Sequence, residues 1–226
     1  MRKFDWAFVV LGFILLVVGH GWGLFIAPVE REMGEVYRIM FVHVPAAWMT
    51  LLAFTTNFIF SVAYLLKGKM EHDLLADACA EVGLVFNGLC LVTGSIWGRP
   101  TWGVYWSWDP RLTTVAVLFV AFAGYLLLRR MVEEREKRAT WSAVTGILIA
   151  IDIPLVWFSV KWWNSLHQLQ SSPQTVSPSM YWPLRIASFA FLFIMLAFIR
   201  LRYLALRNEW QAEERSLEAL LGEASA

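Results

Sequence analysis

The 226-residue sequence is 58% hydrophobic and only 16% charged, with a mean hydropathy of +0.55. This composition excludes an ordinary soluble domain, and apolar residues in long blocks are typical of membrane-spanning proteins. The formal net charge is only +1 and the sequence shows no accumulation of basic residues on one face, which argues against a nucleic-acid partner.

A window of about 19 residues predicts six transmembrane helices joined by short connections. The predicted spans are residues 6–27, 41–66, 75–97, 112–129, 139–160 and 184–204. The first is too long for the apolar region of a signal peptide and lacks a cleavage site, so we expect it to be retained. We therefore expect an all-α integral membrane protein with a single six-helix domain, residues 1–207. Residues 208–226 mix glutamate with apolar residues at helical spacing, which predicts a short surface helix as a cytoplasmic tail.

The basic residues predict the orientation of the bundle. Strict alternation of the spans places about two thirds of the 19 Lys and Arg residues on the side that carries both termini. Because cytoplasmic loops carry the excess of Lys and Arg, we expect both termini to be cytoplasmic. The connection between the third and fourth spans then faces outward, toward the periplasm in a Gram-negative bacterium.

That outward connection is rich in tryptophan. The stretch WGRPTWGVYWSWDPRLTT, residues 97–114, holds four tryptophans, a tyrosine, two arginines and one aspartate. Indole rings are wide and apolar with one N–H donor, so they suit a site that is part apolar and part wet. An aromatic belt at the membrane interface is the alternative, but a belt distributes its rings over several helix ends. Crowding in one loop favours a surface for a flat ligand.

Three of the four histidines lie on the predicted outer side: His20, His43 and His167. Each one taken alone is compatible with a histidine that bonds to a backbone carbonyl or water. Two neutral imidazoles on one face can instead bracket a flat iron macrocycle, since haem iron commonly takes axial histidine. A site for a metal ion alone is disfavoured, because no Cys, Asp or Glu stands at zinc-like spacing around these histidines.

Three arginines on the outer side run against the charge bias: Arg38, Arg99 and Arg111. Guanidinium groups suit carboxylates in bidentate geometry, so haem propionates are candidate partners. Salt bridges are the alternative, from Arg111 to Asp109 or from Arg38 to a nearby glutamate. The sequence leaves both open.

An aspartate interrupts the fifth span. Asp152, in AIDIPLVWF, is costly inside a membrane, which indicates either a role in the site or a buried pairing. Pro154 is expected to kink the helix and free backbone carbonyls there. A structural role for Asp152 at this kink is an equal alternative.

The sequence carries no enzyme motif. It has no Ser–His–Asp order, Gly-rich phosphate loop or paired carboxylates. Its two cysteines, Cys79 and Cys90, are about 16 Å apart on one predicted helix, beyond disulfide reach. We expect neither catalysis nor ATP binding in this chain, and any ATPase activity would belong to a partner.

The string WGVYWSWDPRLTT resembles the WWD signature of the haem-handling membrane proteins of cytochrome c maturation. YRIMFVHVPAAW, IDIPLVWFSVKWWNSLHQ and the six spans narrow the resemblance to the CcmC family, over residues 38–167. It implies that His43 and His167 are axial ligands of haem b, and that Arg38 and Arg111 match arginines of the family. It also implies that the WWD loop forms a haem platform, here Trp102, Gly103, Tyr105, Trp106, Trp108 and Asp109.

The same resemblance implies the setting of the protein. Members of the family deliver haem at the periplasmic face of the bacterial inner membrane to the haem chaperone CcmE, which attaches it covalently. They work beside the ATP-binding cassette pair CcmA and CcmB and the small membrane protein CcmD.

Three alternatives remain at this level. Tyr105 stands where many CcmC sequences carry tryptophan, and YWSWDP is similar to the CcsA branch of another maturation system, although RLTT and WNSLHQ favour CcmC. A transmembrane haem transporter requires polar residues through the bundle, where Asn87, Asp152 and His20 qualify. A haem redox enzyme requires ligand pairs at two depths, and the inner half offers none.

Overall fold

Six helices long and apolar enough to cross a membrane form the bundle in the computed structural model, which describes residues 3–169 and 175–224. The helices are α1 Lys3–Gly21, α2 Met40–Lys67, α3 Met70–Trp102, α4 Pro110–Met131, α5 Arg135–Ile149, α6 Asp152–Trp162 and α7 Pro178–Ala224. A π-helical turn, Trp22–Ile26, extends α1, and a 3₁₀ turn, Glu35–Ile39, precedes α2. Five of the six predicted spans each lie within one continuous helical segment to within one residue, and the span 139–160 covers α5 and α6, which confirms the all-α membrane fold.

The pair α2 and α3 forms the centre of the bundle. Gly68, at φ +63°, ends α2 in the left-handed conformation, and its N–H donates to the Tyr64 carbonyl. This is a common way to close a helix, because glycine adopts positive φ without a steric cost. The two-residue link makes α2 and α3 antiparallel neighbours. The start of α2 therefore lies beside the end of α3.

The fifth span is broken into α5 and α6, as Pro154 predicts. Proline has no N–H to donate to the carbonyl four residues earlier, which belongs to Ala150. That carbonyl accepts from the N–H of Ile153 instead, at 3.1 Å. Asp152 begins α6 directly after this break.

The last helix is one continuous element of 47 residues. At 1.5 Å per residue it is about 70 Å long, more than twice the hydrocarbon thickness of a bilayer. The tail from residue 208 continues α7 as far as residue 224 and is not a separate surface helix. Leu206 and Trp210 pack in a cluster with Leu74 of α3, and Glu213 pairs with Arg135 at 2.6 Å.

A buried ion cluster lies at the end of the bundle away from His43. Arg129 of α4 donates to Asp73 at 2.6 and 2.8 Å and pairs with Asp77 at 2.9 Å. All three side chains are buried. Burying charges in a membrane protein is costly unless they are paired in this way. The contacts of Arg129 with Asp73 and Asp77 join α4 to α3.

Candidate functional site

A cavity of about 110 Å³ lies between α2, α3, α4 and α6, at the end of the bundle that carries the tryptophan-rich loop. Both histidines predicted as ligands line it, together with four indole rings and one guanidinium. These residues are His43, His167, Trp48, Trp97, Trp102, Trp106 and Arg111. The lining is largely apolar, with aromatic rings and a few polar groups, which is typical of a ligand pocket.

His43 is held on the inner wall of the cavity by α3. Its Nδ1 lies 3.1 Å from the Cys90 carbonyl oxygen and 3.1 Å from Oγ1 of Thr93, and the side chain is buried. A carbonyl oxygen only accepts, so Nδ1 carries the proton and donates. Nε2 is then left with a free lone pair, which is the arrangement that supports ligation of a metal.

His167 reaches the cavity from the segment that follows α6. Its Nδ1 donates to the Gln168 carbonyl at 2.8 Å, by the same argument, and its backbone N–H donates to Oγ of Ser165 at 3.0 Å. Burial and the nearby positive charge of Arg111 lower the pKa of His167 to about 4. The imidazole is neutral at pH 7, with Nε2 free to act as a ligand.

The two imidazoles form a pair across the cavity. Their ring centroids are 6.4 Å apart and their planes are inclined by 35°. A metal bonded at about 2 Å to one nitrogen of each ring, with about 1 Å more from nitrogen to centroid, separates the centroids by roughly 6 Å. The observed separation of 6.4 Å is close to this value.

Two rings of the predicted platform line the cavity and two face outward. Trp102 and Trp106 are lining residues, and Trp102 lies 6.4 Å from His167 between ring centroids. Tyr105 and Trp108 are 63% and 82% exposed. Gly103, at φ +82°, ends α3 and turns the chain into the loop. The exposed rings are available to a ligand or protein that approaches the rim.

Asp109 does not line the cavity but is buried beneath the loop, with 6% of its surface exposed. Its Oδ1 accepts from the N–H of Arg111 at 2.9 Å, which caps α4. Oδ1 also accepts from Oγ of Ser165 at 3.0 Å, and Oδ2 accepts from the N–H of Leu166 at 2.7 Å. The carboxylate thus joins the loop to the segment that carries His167.

The three arginines differ in their surroundings. Arg111 lines the cavity and makes one long contact, at 3.4 Å, to the Val156 carbonyl. Arg38 donates to the Gly23 carbonyl at 2.7 Å and pairs with Glu35, which was the salt-bridge alternative.

Arg99 lies in the last turn of α3, before the loop, and is also outside the lining of the cavity. It donates to the Gly103 carbonyl, and its guanidinium lies 5.7 Å above the centre of the Tyr105 ring. Of the three, only Arg111 stands where it can reach a ligand in the cavity.

His20 and Asp152 lie outside the cavity lining. His20 stacks on Phe191 at 5.7 Å between ring centroids, and its Nδ1 contacts the Leu16 carbonyl at 3.1 Å. Asp152 is half-buried at the break before α6, and its Oδ2 has no hydrogen-bond partner among the described residues. Both positions are compatible with structural roles.

Sequence reasoning did not find the residues of α3 that hold His43. Gly94 of α3 faces the ring so closely that a Cβ there would lie 2.9 Å from Cε1 of His43. Trp97 meets the same ring edge-on, at 5.6 Å between centroids. Trp97 belongs to the tryptophan-rich stretch, but only the antiparallel pairing of α2 with α3 brings it to His43.

The sequence matches the family model described as Heme exporter protein C over residues 1–216. It is 38% identical over 200 residues to Heme exporter protein C of Bradyrhizobium diazoefficiens, covering 87% of this chain and 74% of the relative. It is 36% identical over 208 residues to the Haemophilus influenzae protein of the same name, covering 89% and 85%. With that of Escherichia coli K12 it shares 34% identity over 207 residues, covering 88% and 84%.

Proposed function

The chain belongs to the haem exporter protein C family, and from this premise we propose that it binds haem b between His43 and His167 and presents it at the periplasmic face. Its relatives support a haem-handling role in cytochrome c maturation within a multi-pass membrane protein. The observation that carries the proposal is the imidazole pair, with ring centroids 6.4 Å apart. Each ring donates through Nδ1 to a carbonyl and keeps Nε2 free.

The rest of the cavity suits a macrocycle with carboxylates at its edge. Trp102 and Trp106 offer apolar ring faces, and Arg111 offers a guanidinium for a propionate. An enclosed cavity of about 150 Å³ accommodates one benzene molecule. A cavity of about 110 Å³ is too small to enclose haem, so most of the macrocycle would extend over the rim, near Tyr105 and Trp108. An open edge is what presentation to another protein requires.

Spectra of histidine variants test the ligand assignment. The protein is purified in detergent, loaded with haem, and compared with His43→Ala and His167→Ala. We expect each variant to lose the six-coordinate signature and to retain less haem. The matched control is His20→Ala, which removes a histidine outside the cavity. Unchanged haem content and spectra in both cavity variants would overturn the assignment.

Delivery to a chaperone requires a separate experiment. We propose that the recipient is a CcmE-type chaperone and that the chain works in a bacterial inner-membrane complex with CcmA, CcmB and CcmD. Haem-loaded protein should co-purify with the chaperone, whereas a protein with both His43→Ala and His167→Ala should not. Equal recovery of the chaperone with both proteins would contradict haem-dependent presentation.

Conduction of haem across the bilayer is the alternative that the relatives' name suggests. The cavity lies at one end of the bundle, and the buried charged groups Arg129, Asp73 and Asp77 at the other end are bonded to one another. This arrangement favours presentation at one face. Haem flux into liposomes that contain this chain alone would favour conduction instead.

A further inference from the structure

We propose that Asp109 is a positioning residue for His167 and does not itself contact the ligand. The proposal rests on the proposed function in one respect, namely that His167 ligates haem. The carboxylate is almost fully buried, and both of its oxygens accept hydrogen bonds from protein groups. Asp109 does not line the cavity, although Trp106 before it, Arg111 after it and His167 all do.

The bonds made by Asp109 fix the backbone directly before the histidine. Oδ2 accepts from the N–H of Leu166 at 2.7 Å, and Oδ1 accepts from the hydroxyl of Ser165 at 3.0 Å. The same hydroxyl accepts from the backbone N–H of His167 at 3.0 Å. Two consecutive backbone N–H groups are therefore held, one directly and one through Ser165. Charge-assisted bonds of this kind are stronger than bonds between neutral groups.

His167 depends on such support more than His43 does. His43 sits on α2, and a helix fixes its backbone. The segment 163–169 after α6 has no regular secondary structure, so its backbone is ordered by individual contacts. A ligand must be held within about 0.5 Å of its working position. The bonds to Asp109 supply that constraint from a residue 56 and 57 positions away in the sequence.

The bonds from Asp109 to Ser165 and Leu166, here called the clamp, also join two parts of the site. Asp109 caps α4 and directly follows the exposed Trp108 of the loop. Through Ser165 and Leu166 the loop and the ligand-bearing segment are held in one fixed relation. Asp109 thus sets the distance between the ligand His167 and the rings of the loop.

Two substitutions separate the clamp from the helix cap. In Asp109→Ser the hydroxyl still caps α4, since serine caps about as well as aspartate, but it is too short to reach Leu166 and Ser165 together. Ser165→Ala leaves the cap intact and removes the link to the N–H of His167. Glu30→Gln is the matched control, because Glu30 Oε2 likewise accepts two backbone N–H groups, at 2.8 and 2.7 Å, within its own turn.

The test compares haem spectra and haem titrations of these variants with His167→Ala and with the double variant of Asp109→Ser and His167→Ala. We expect Asp109→Ser to lose six-coordinate haem and to bind it about 10- to 100-fold more weakly, the usual effect of removing a group that orients a metal ligand. Free imidazole should restore the six-coordinate spectrum. The double variant should bind haem no more weakly than His167→Ala, and Glu30→Gln should match wild type.

A wild-type spectrum in both Asp109→Ser and Ser165→Ala, beside a changed spectrum in His167→Ala, would overturn the positioning role and leave the proposed function intact. Additive losses in the double variant would also overturn it, because Asp109 would then act independently of His167. An unchanged spectrum in His167→Ala would remove the ligand assignment and the positioning role together. If Asp109→Ser does not purify as a folded protein, Ser165→Ala carries the test.

Discussion

Alanine in place of Gly94 is expected to displace His43 and weaken haem binding. A Cβ at this position lies 2.9 Å from Cε1 and 3.5 Å from Nδ1 of His43. Carbon atoms in contact are about 3.5–4.0 Å apart, so the ring must move by at least about 0.6 Å. Its bonds to the Cys90 carbonyl and to Thr93 oppose that movement. The shift exceeds the tolerance of about 0.5 Å within which a ligand acts.

The expected magnitude follows from overpacking. Inserting a methyl group into a packed interior costs about 1–3 kcal/mol. If the His43 ring can bind haem only in the position that the new methyl group destabilises by this amount, haem affinity decreases about 5- to 150-fold. Replacing glycine by alanine within a helix stabilises the fold by about 1 kcal/mol, which offsets part of the cost of overpacking. Melting temperature should therefore change little while haem affinity falls.

Gly88→Ala is the control on the same helix, because a Cβ there meets its nearest neighbour, Phe119, at an ordinary 3.5 Å. Both variants are titrated with haem in detergent and followed by absorbance of the haem band. Equal affinity of Gly94→Ala and Gly88→Ala would refute the reasoning that α3 positions His43.

Three further predictions concern charge and packing. Arg111→Gln should weaken haem binding by about 1.5–3 kcal/mol, the usual value of a hydrogen bond to a charged group. Arg135→Gln, which alters an arginine paired with Glu213 away from the cavity, should leave haem binding unchanged, and titrations of the two variants check this. Arg129→Leu leaves two buried aspartates without their cation, so it should destabilise the fold by about 3–5 kcal/mol; an unaltered thermal unfolding midpoint would contradict this. Gly19→Ala places a Cβ 2.7 Å from a backbone nitrogen of α7, so overpacking of about 1–3 kcal/mol should lower the thermal unfolding midpoint. In the control Gly21→Ala the Cβ meets nothing within 4 Å, and the midpoint should not fall. Equal midpoints of the two variants would count against close packing of α1 on α7.

The sequence predicted the helices well because the signal was strong. Runs of about 20 apolar residues have few interpretations other than a transmembrane helix. The break at Pro154 was also predictable, since proline removes a hydrogen bond wherever it falls within a helix. The continuation of α7 into the tail was not, because charged residues at helical spacing suit either a separate helix or a longer one.

Residues of the site were harder to place when their role depends on pairing between helices. Gly94 has no distinguishing neighbours in the sequence, and its importance comes from the packing of α3 against His43 of α2. Asp109 was grouped with the haem platform on the resemblance alone, whereas its contacts lie with Ser165 and Leu166. Such contacts connect parts of the chain more than 50 residues apart and follow from the fold, not from local pattern.

Electron paramagnetic resonance of the haem-loaded protein, after chemical oxidation, tests the central claim most directly. Ligation by His43 and His167 predicts a low-spin ferric signal with two imidazole nitrogens as axial ligands, which is lost in His43→Ala and in His167→Ala. A high-spin, five-coordinate signal in the wild-type protein would contradict it. So would a signal characteristic of thiolate ligation, because Sγ of Cys90 lies 3.9 Å from His43 Nδ1.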